Sequence, residues 1–409
     1  MKKLGQITLG ILTAMGGFVD IGDLVANSET GARYGMSLMW AVLLGVIGIV
    51  VFAEMAGRVA TVSKRAVFDV VRERMGARMA LINLFASFFI NLLTLVAELA
   101  GVAIAFQLAS DVNYLLWIPL AGFLVWFVIW RMKFETMERV FGLMGLVLIV
   151  GAVALVKLHP DWMHLWHQAS HPSIPQGEGT PTYFYYAIAL LGAAMTPYEV
   201  FFFSSGAVEE KWTRSDLFVN RSNVYIGFPL GGFFSIMLMA LAATVFFPRG
   251  IGVEHLGQVA LPTTLALGKI GLALMILGFF ATTFGAALET GLSCGYTIAQ
   301  YFGWQWGKLV KPRQAARFHL VVILSLVVAV LIGITAVDPV QITEYSIVLS
   351  AAALPLTYFP ILVVANDRQY MGDKTNSKLS NTIASFFMVL LTIVAIATIP
   401  LMIATKAGQ

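Results

Sequence analysis

Apolar runs close to twenty residues long recur along the whole chain, and each is long enough to cross about 30 Å of hydrocarbon. Eleven such runs lie at about 7–30, 36–57, 79–106, 113–130, 140–157, 183–206, 223–247, 270–301, 318–336, 345–365 and 380–404. Segments of this kind must satisfy their backbone internally, so the chain reads as an all-α polytopic membrane protein. Composition agrees: 12% of the 409 residues are charged and 59% are hydrophobic, against about 25% charged in a soluble domain. Mean hydropathy is +0.83. The opening Met-Lys-Lys and apolar stretch mimic a secretory leader. Asp20 and Asp23 interrupt that stretch and no clean small-residue cleavage site follows, so it reads as a retained first span. The single cysteine, Cys294, excludes an intrachain disulfide.

Basic residues fix an expected orientation. Taking the loops alternately, one side holds only Arg33, Lys157, Arg249, Lys269 and Lys406, and the other 21 of the 26 Lys and Arg residues fall on the opposite side. The positive-inside rule puts the N-terminus in the cytoplasm and the C-terminus outside. Topology accounts for the basic loops, so they carry no nucleic-acid footprint. The segment 58–78 reads as a topology determinant with the pattern of a short interfacial helix. In the outer loop at about 158–182, His159, His164, His167 and His171 interleave with Trp162 and Trp166. That spacing fits an aromatic interfacial loop better than a metal trap.

Acidic residues inside the runs carry the functional signal, because a carboxylate in hydrocarbon is expensive and normally lines a pathway. Asp20, Asp23, Glu54, Glu98, Glu199 and Glu289 are so placed. Glu54 stands four residues before Arg58 and is expected to pair with it. Glu289 either faces the ion vestibule or pairs within the bundle. Two runs are broken. The first reads MGGFVDIGDLVAN over 15–27, with Gly16, Gly17 and Gly22 flanking the two aspartates. The sixth reads LLGAAMTPYEVFFFSSG over 190–206, where Pro197 removes an amide and disfavours helix at Thr196. Breaks at matching places in two five-span halves predict an inverted-repeat transporter with its site at the midplane. The expected boundaries are about 7–157 for the first repeat and 183–365 for the second. An extra helix follows at 380–404, all within a single domain over 1–409.

These residues resemble the Nramp family, transporters of divalent transition metals coupled to protons. The resemblance covers nearly the whole chain and implies the eleven-span, 5+5 leucine-transporter-like fold with broken helices one and six. The family's Asp-Pro-Gly-Asn matches Asp20-Ile21-Gly22-Asp23, and its Met-Pro-His matches Thr196-Pro197-Tyr198, followed by Glu199. AEMAGRVATVSKRAVFDVVRERMG, AELAGVAIAF, KFETMERVFG and ALPLTYFPILVVANDRQYMG are further family-like segments, and in span ten Ala353 stands where a polar residue is expected. The departures are most like the divergent Nramp-related magnesium transporters. The resemblance implies metal ligation by Asp20, Asp23, Glu199 and Thr196 with the carbonyls of Gly17 and Ala193, and Tyr198, Glu98 and Glu289 near the site. Chemistry points the same way: losing the thioether and gaining carboxylates leaves hard oxygen ligands suited to Mg²⁺, with Mn²⁺ competing.

Proton coupling is expected to be weak or absent. Tyr198 replaces the family's histidine, Leu95 replaces a third-span aspartate, and span nine has no arginine, only His319 near its end. The expectation is a secondary transporter or facilitator importing Mg²⁺ and Mn²⁺ by alternating access. The alternatives are a proton-coupled Mn²⁺/Fe²⁺ carrier of the standard type, or an organic-cation or amino-acid symporter on the same fold. No HExxH, GxSxG or P-loop signature occurs, so an enzyme is not expected. No cofactor beyond the transported ion is expected. The chain is read as a monomer in a bacterial-type inner membrane, its partners being the ion and the lipid bilayer.

Overall fold

The computed structural model describes residues 2–308, 310–335 and 338–408. Among them the regular structure is helical throughout. The first span is two short helices, α1 (Lys2–Phe18) and α2 (Ile21–Tyr34). Span two is α3 (Met39–Ser63), followed by the short α4 (Val67–Met75). Spans three and four are α5 (Ala77–Ser110) and α6 (Tyr114–Arg131). Span five comprises α7 (Phe134–Gly145) and α8 (Ile149–Lys157), joined by a single 3₁₀ turn. The outer loop carries α9 (Trp162–Ser170). Span six is broken into α10 (Thr180–Ala194) and α11 (Pro197–Glu209). Span seven begins with α12 (Leu217–Ser222), passes through a π turn and continues as α13 (Phe228–Val245). Spans eight to ten are α14 (Leu261–Phe302), α15 (Ala316–Gly333) and α16 (Pro339–Ala365). A one-turn helix, α17 (Arg368–Met371), precedes the last span, α18 (Lys378–Ala404). Among the described residues ten segments are long and apolar enough to span a membrane; the broken first span, α1 and α2, lies beside them.

Each break has a local cause. In span one, Asp20 is extended (φ −106°, ψ −175°) and caps α2 by accepting the Asp23 amide at 2.9 Å. In span six, Met195 leaves helical geometry and Thr196 is extended ahead of Pro197. Proline costs nothing as the first residue of α11, where its missing amide would have no partner anyway. Both second halves therefore start alike: an oxygen-bearing cap, Asp20 or Thr196, with a carboxylate three residues on, Asp23 or Glu199.

The broken helices are the innermost elements. α2 packs against α13, α10 and α16, while α11 lies against α3, α14 and α5. Small residues permit these approaches: a Cβ on Gly192 of α10 would lie 2.1 Å from the Ile347 carbonyl oxygen of α16. By contrast α18 turns Ile393, Ile396 and Ile403 outward, the apolar face that a lipid bilayer requires.

Several boundaries differ from the expectation for physical reasons. Span two runs six residues further, to Ser63. Its added turns carry Arg58, whose guanidinium pairs with Glu54 at 3.1 Å and is thereby tolerated near the interior. The segment after it does contain a helix. However, α4 turns Val67, Phe68, Val70 and Val71 into the protein, with Phe68 edge-on to Phe201 at 5.2 Å, so its apolar face meets the bundle. α14 begins nine residues early because it bends at Gly268 (φ 65°), a conformation open to glycine.

Gly192 gives a direct check on the packing. Gly192→Val is expected to destabilise the protein by about 1–3 kcal/mol, as overpacking of a tight core does, read as a lower thermal midpoint in detergent. Gly252→Ala, at a position with nothing within 4 Å of the new Cβ, is expected to leave it unchanged. Equal midpoints for the two variants would contradict the close α10–α16 crossing.

Candidate metal-ion site at the broken helices

The two breaks meet in the interior, where the Tyr198 hydroxyl of span six reaches the Gly17 carbonyl and Asp20 Oδ2 of span one. Asp20 is 1% exposed, Asp23 1%, Thr196 2% and Glu199 3%, so all four are withdrawn from solvent. Asp20 accepts the Asp23 amide on Oδ1 and faces the Tyr198 hydroxyl with Oδ2.

Hydrogen bonds fix one oxygen each of Asp23, Glu98 and Glu199 and leave the other open. Asp23 Oδ1 accepts from Asn27 Nδ2 at 3.0 Å and from Ser235 Oγ at 2.9 Å. Glu98 Oε1 accepts the Ile21 amide at 3.1 Å, the first amide after the break. Glu199 Oε1 accepts from Thr196 Oγ1 at 3.1 Å. Asp23 Oδ2, Glu98 Oε2 and Glu199 Oε2 are buried with no hydrogen-bond partner. Unpaired anionic oxygens in a dry interior demand a cation or a proton.

Backbone at the breaks adds neutral oxygen. α1 and α10 direct their C-terminal carbonyls, the negative ends of the helix dipoles, at the gaps. The one Tyr198 hydroxyl hydrogen is shared between the Gly17 carbonyl at 2.8 Å and Asp20 Oδ2 at 3.2 Å, so this tyrosine ties span six to span one. Gly17 has a second lone pair left for an ion. Ala193 lies in the last turn of α10, among the carbonyls with no intrahelical donor. The next break carbonyl, Met195, is taken by Tyr358 Oη at 3.1 Å. Among the described residues no three acidic, histidine or cysteine side chains are drawn up as a finished cage.

The flanking candidates resolve differently. Glu289 lies against the first break, since a Cβ on Gly17 would fall 2.4 Å from its Oε2. It also lines, with Gly16, Met137 and Phe141, a cavity of about 20 Å³, room for one water. Glu54 is a structural acid, paired with Arg58 and reached by Arg221 at 3.4 Å. The outer-loop histidines do not converge: His167 and His171 stack at 4.6 Å, and His164 meets Gln168 at 2.9 Å. Sequence reasoning missed Asn27, Ser235 and Tyr358. Asn27 was findable, standing four residues after Asp23 on the same helix face. Ser235 and Tyr358 come from other spans, and nothing local in sequence marks them.

Comparison with known proteins agrees with this architecture. A curated relative, the divalent metal cation transporter MntH of Erwinia tasmaniensis, is 25% identical over 396 residues, covering 91% of this chain and 89% of that protein. A crystal structure of the Eremococcus coleocola manganese transporter is similar with a TM-score of 0.75 at 17% identity, covering all of this chain (100%) and 88% of the other. A crystal structure of MhsT in complex with L-phenylalanine is similar with a TM-score of 0.65 at 15% identity, covering 98% of each chain. At such identities these likenesses speak for the fold, that of broken-helix transporters. The family model described as Nramp, natural resistance-associated macrophage protein-like, matches residues 10–400, and the chain accordingly belongs to the Nramp family, whose members are membrane transporters and not enzymes.

Proposed function

We propose that this protein imports divalent cations, Mg²⁺ and also Mn²⁺, by alternating access through the site between the two breaks. The observation that carries the reading is the set of buried, partnerless carboxylate oxygens on Asp23, Glu98 and Glu199 around Asp20. The repeats at about 7–157 and 183–365 rock about this centre, with the N-terminus in the cytoplasm and the C-terminus outside. Asp20, Asp23 and Glu199 supply charge, Thr196 and the carbonyls of Gly17 and Ala193 supply neutral oxygen, and retained water completes the octahedron that Mg²⁺ requires. The ligand set contains no thioether, which argues for hard ions over Fe²⁺ or Cd²⁺. An amino-acid substrate would bring its own carboxylate into a ring of acids, which opposes that alternative.

Coupling follows from the same residues. Tyr198 shares its hydroxyl hydrogen between Gly17 and Asp20 as a fixed strut, and a phenol with an ordinary pKa near 10 is no proton shuttle at neutral pH. Leu95 carries no proton, and one oxygen of Glu98 is committed to the Ile21 amide. An inside-negative potential drives a divalent ion with about 4.6 kcal/mol per 100 mV, roughly three decades of concentration ratio. No obligatory proton is needed.

Two experiments test the proposal. In proteoliposomes, Asp20→Asn and Glu199→Gln are expected to lower Mg²⁺ and Mn²⁺ uptake at least about tenfold, the cost of roughly 1.4 kcal/mol at the ion. In the same assay Thr196→Met is expected to raise Cd²⁺ uptake relative to Mg²⁺; an unchanged preference places Thr196 off the ion's path. With a pH dye in the lumen and the potential clamped, Mg²⁺ uptake is expected to leave lumenal pH unchanged. Stoichiometric proton entry, abolished by Glu98→Gln, would return the protein to the proton-coupled type.

A further inference from the structure

The eleventh span lies outside both five-span repeats, yet the turn that follows it reaches into the bundle. After α18 the residues Lys406, Ala407 and Gly408 all take positive φ (51°, 60° and 89°). The Gly408 amide donates back to Thr405 Oγ1 at 3.1 Å, which closes the turn. Gly408 is buried against α10, where a Cβ on it would lie 3.0 Å from both Tyr185 and Tyr186. Its carbonyl accepts from Arg33 Nη1 of α2 at 2.7 Å.

Arg33 gathers the other partners. Its Nε pairs with Glu178, just ahead of α10, at 2.7 Å, and its Nη1 also donates to Tyr186 Oη of α10 at 3.1 Å. Tyr186 Oη in turn donates to Glu29 Oε1, one turn back along α2. The second oxygen of Glu178 accepts from Tyr34 Oη at 3.0 Å. One guanidinium thus joins α2, the approach to α10, α10 itself and the turn after α18. A rigid fork of five donors can do this, and a single ammonium cannot hold the same geometry.

The positions along the helices give the junction a role. α2 begins at the first break and α10 ends at the second. Arg33 stands about 20 Å along α2 from Asp20, and Tyr186 about 14 Å along α10 from Met195. The near ends of these two half-helices border the candidate ion site, and their far ends are fastened by Arg33. Opening the site to that side requires the far ends to part. The charge pattern places both Arg33 and Lys406 on the side expected to face outside.

We propose that the turn at 405–408 is the clasp of an outer gate, by which the eleventh span holds α2 and α10 together through Arg33. The proposal rests on the reading of the midplane site and on the expected orientation. Release of Arg33 from the Gly408 carbonyl and from Glu178 frees the far ends and opens the path to the midplane. Without the clasp the population shifts to the outward-open form. Turnover then falls because closure loses its fastening, whereas access to the open site does not suffer.

Spin labels on Thr180→Cys, at the start of α10, and Lys406→Cys, both exposed positions, read the gate by double electron–electron resonance in a Cys294→Ala background. With Arg33 intact a single narrow distance distribution is expected. Arg33→Gln is expected to broaden it towards longer distances, and Arg33→Lys to do so less. In proteoliposomes Arg33→Gln is expected to lower the turnover of Mg²⁺ uptake about tenfold, the loss of one hydrogen bond to a charged group, with KM no higher than in wild type. A chain ended after Thr405 is expected to lose turnover in the same direction and to add nothing in combination with Arg33→Gln, since both remove one contact. A monodisperse Arg33→Gln protein with the wild-type distance distribution and turnover overturns the clasp. Additive losses in the combined variant overturn the part given to the eleventh span. The distances need no ion. A distribution broadened by Arg33→Gln, in a protein whose Asp20→Asn variant still carries Mg²⁺ at the wild-type rate, supports the clasp and refutes the midplane site, so the two failures are distinguishable.

Discussion

Buried carboxylates are the constraint on which the rest of the structure turns. Burying even one such group in a low-dielectric interior is costly unless it is paired, and here Asp20, Asp23, Glu98 and Glu199 are all within 3% of complete burial. The fold meets this in three ways. It gives Asp23 and Glu199 the N-terminal turns of α2 and α11, where the helix dipole favours negative charge. It spends one oxygen each of Asp23, Glu98 and Glu199 on a hydrogen bond from the breaks or from span seven. It leaves the other oxygen of each open. On the proposed reading, an arriving ion neutralises these open oxygens, which ties conformation to occupancy as alternating access requires.

Tyr198 links this electrostatic problem to the mechanics. By sharing its hydroxyl hydrogen between the Gly17 carbonyl and Asp20, it fastens the two broken spans to each other at their weakest points. A histidine there would bring a titratable group to the same place, whereas a phenol brings a neutral strut. Tyr358 does comparable work from span ten, holding the Met195 carbonyl. The gaps are therefore ordered without regular helix, and irregular backbone of this kind is tolerated at membrane depth only where it is buried in protein or lines a cavity.

Much of this was legible in the sequence because the membrane simplifies the reading. Long apolar runs have one reading in hydrocarbon, so the span count and the helical class follow from hydropathy alone. The breaks at 15–27 and 190–206 were legible from glycine, proline and misplaced acids, and the i,i+4 pairing of Glu54 with Arg58 from spacing. What escaped detection depends on tertiary contacts or on chain not apolar enough to register as a span. The interior-facing turn of α4 needed Phe201 as its partner. α9 lies in a polar loop, α14 starts early through a bend at Gly268, and α16 extends N-terminally to Pro339 behind an Asp338 cap.

The central claim is that one divalent ion sits between the two breaks, held by Asp20 and Glu199. An anomalous-difference map from crystals grown with Mn²⁺ tests it most directly. The account predicts a peak between these carboxylates, at about 2.1 Å from direct oxygen ligands and further where water intervenes. A Mn²⁺ peak elsewhere, with the Asp20 and Glu199 carboxylates more than about 10 Å apart and beyond the reach of one hydrated ion, would contradict it.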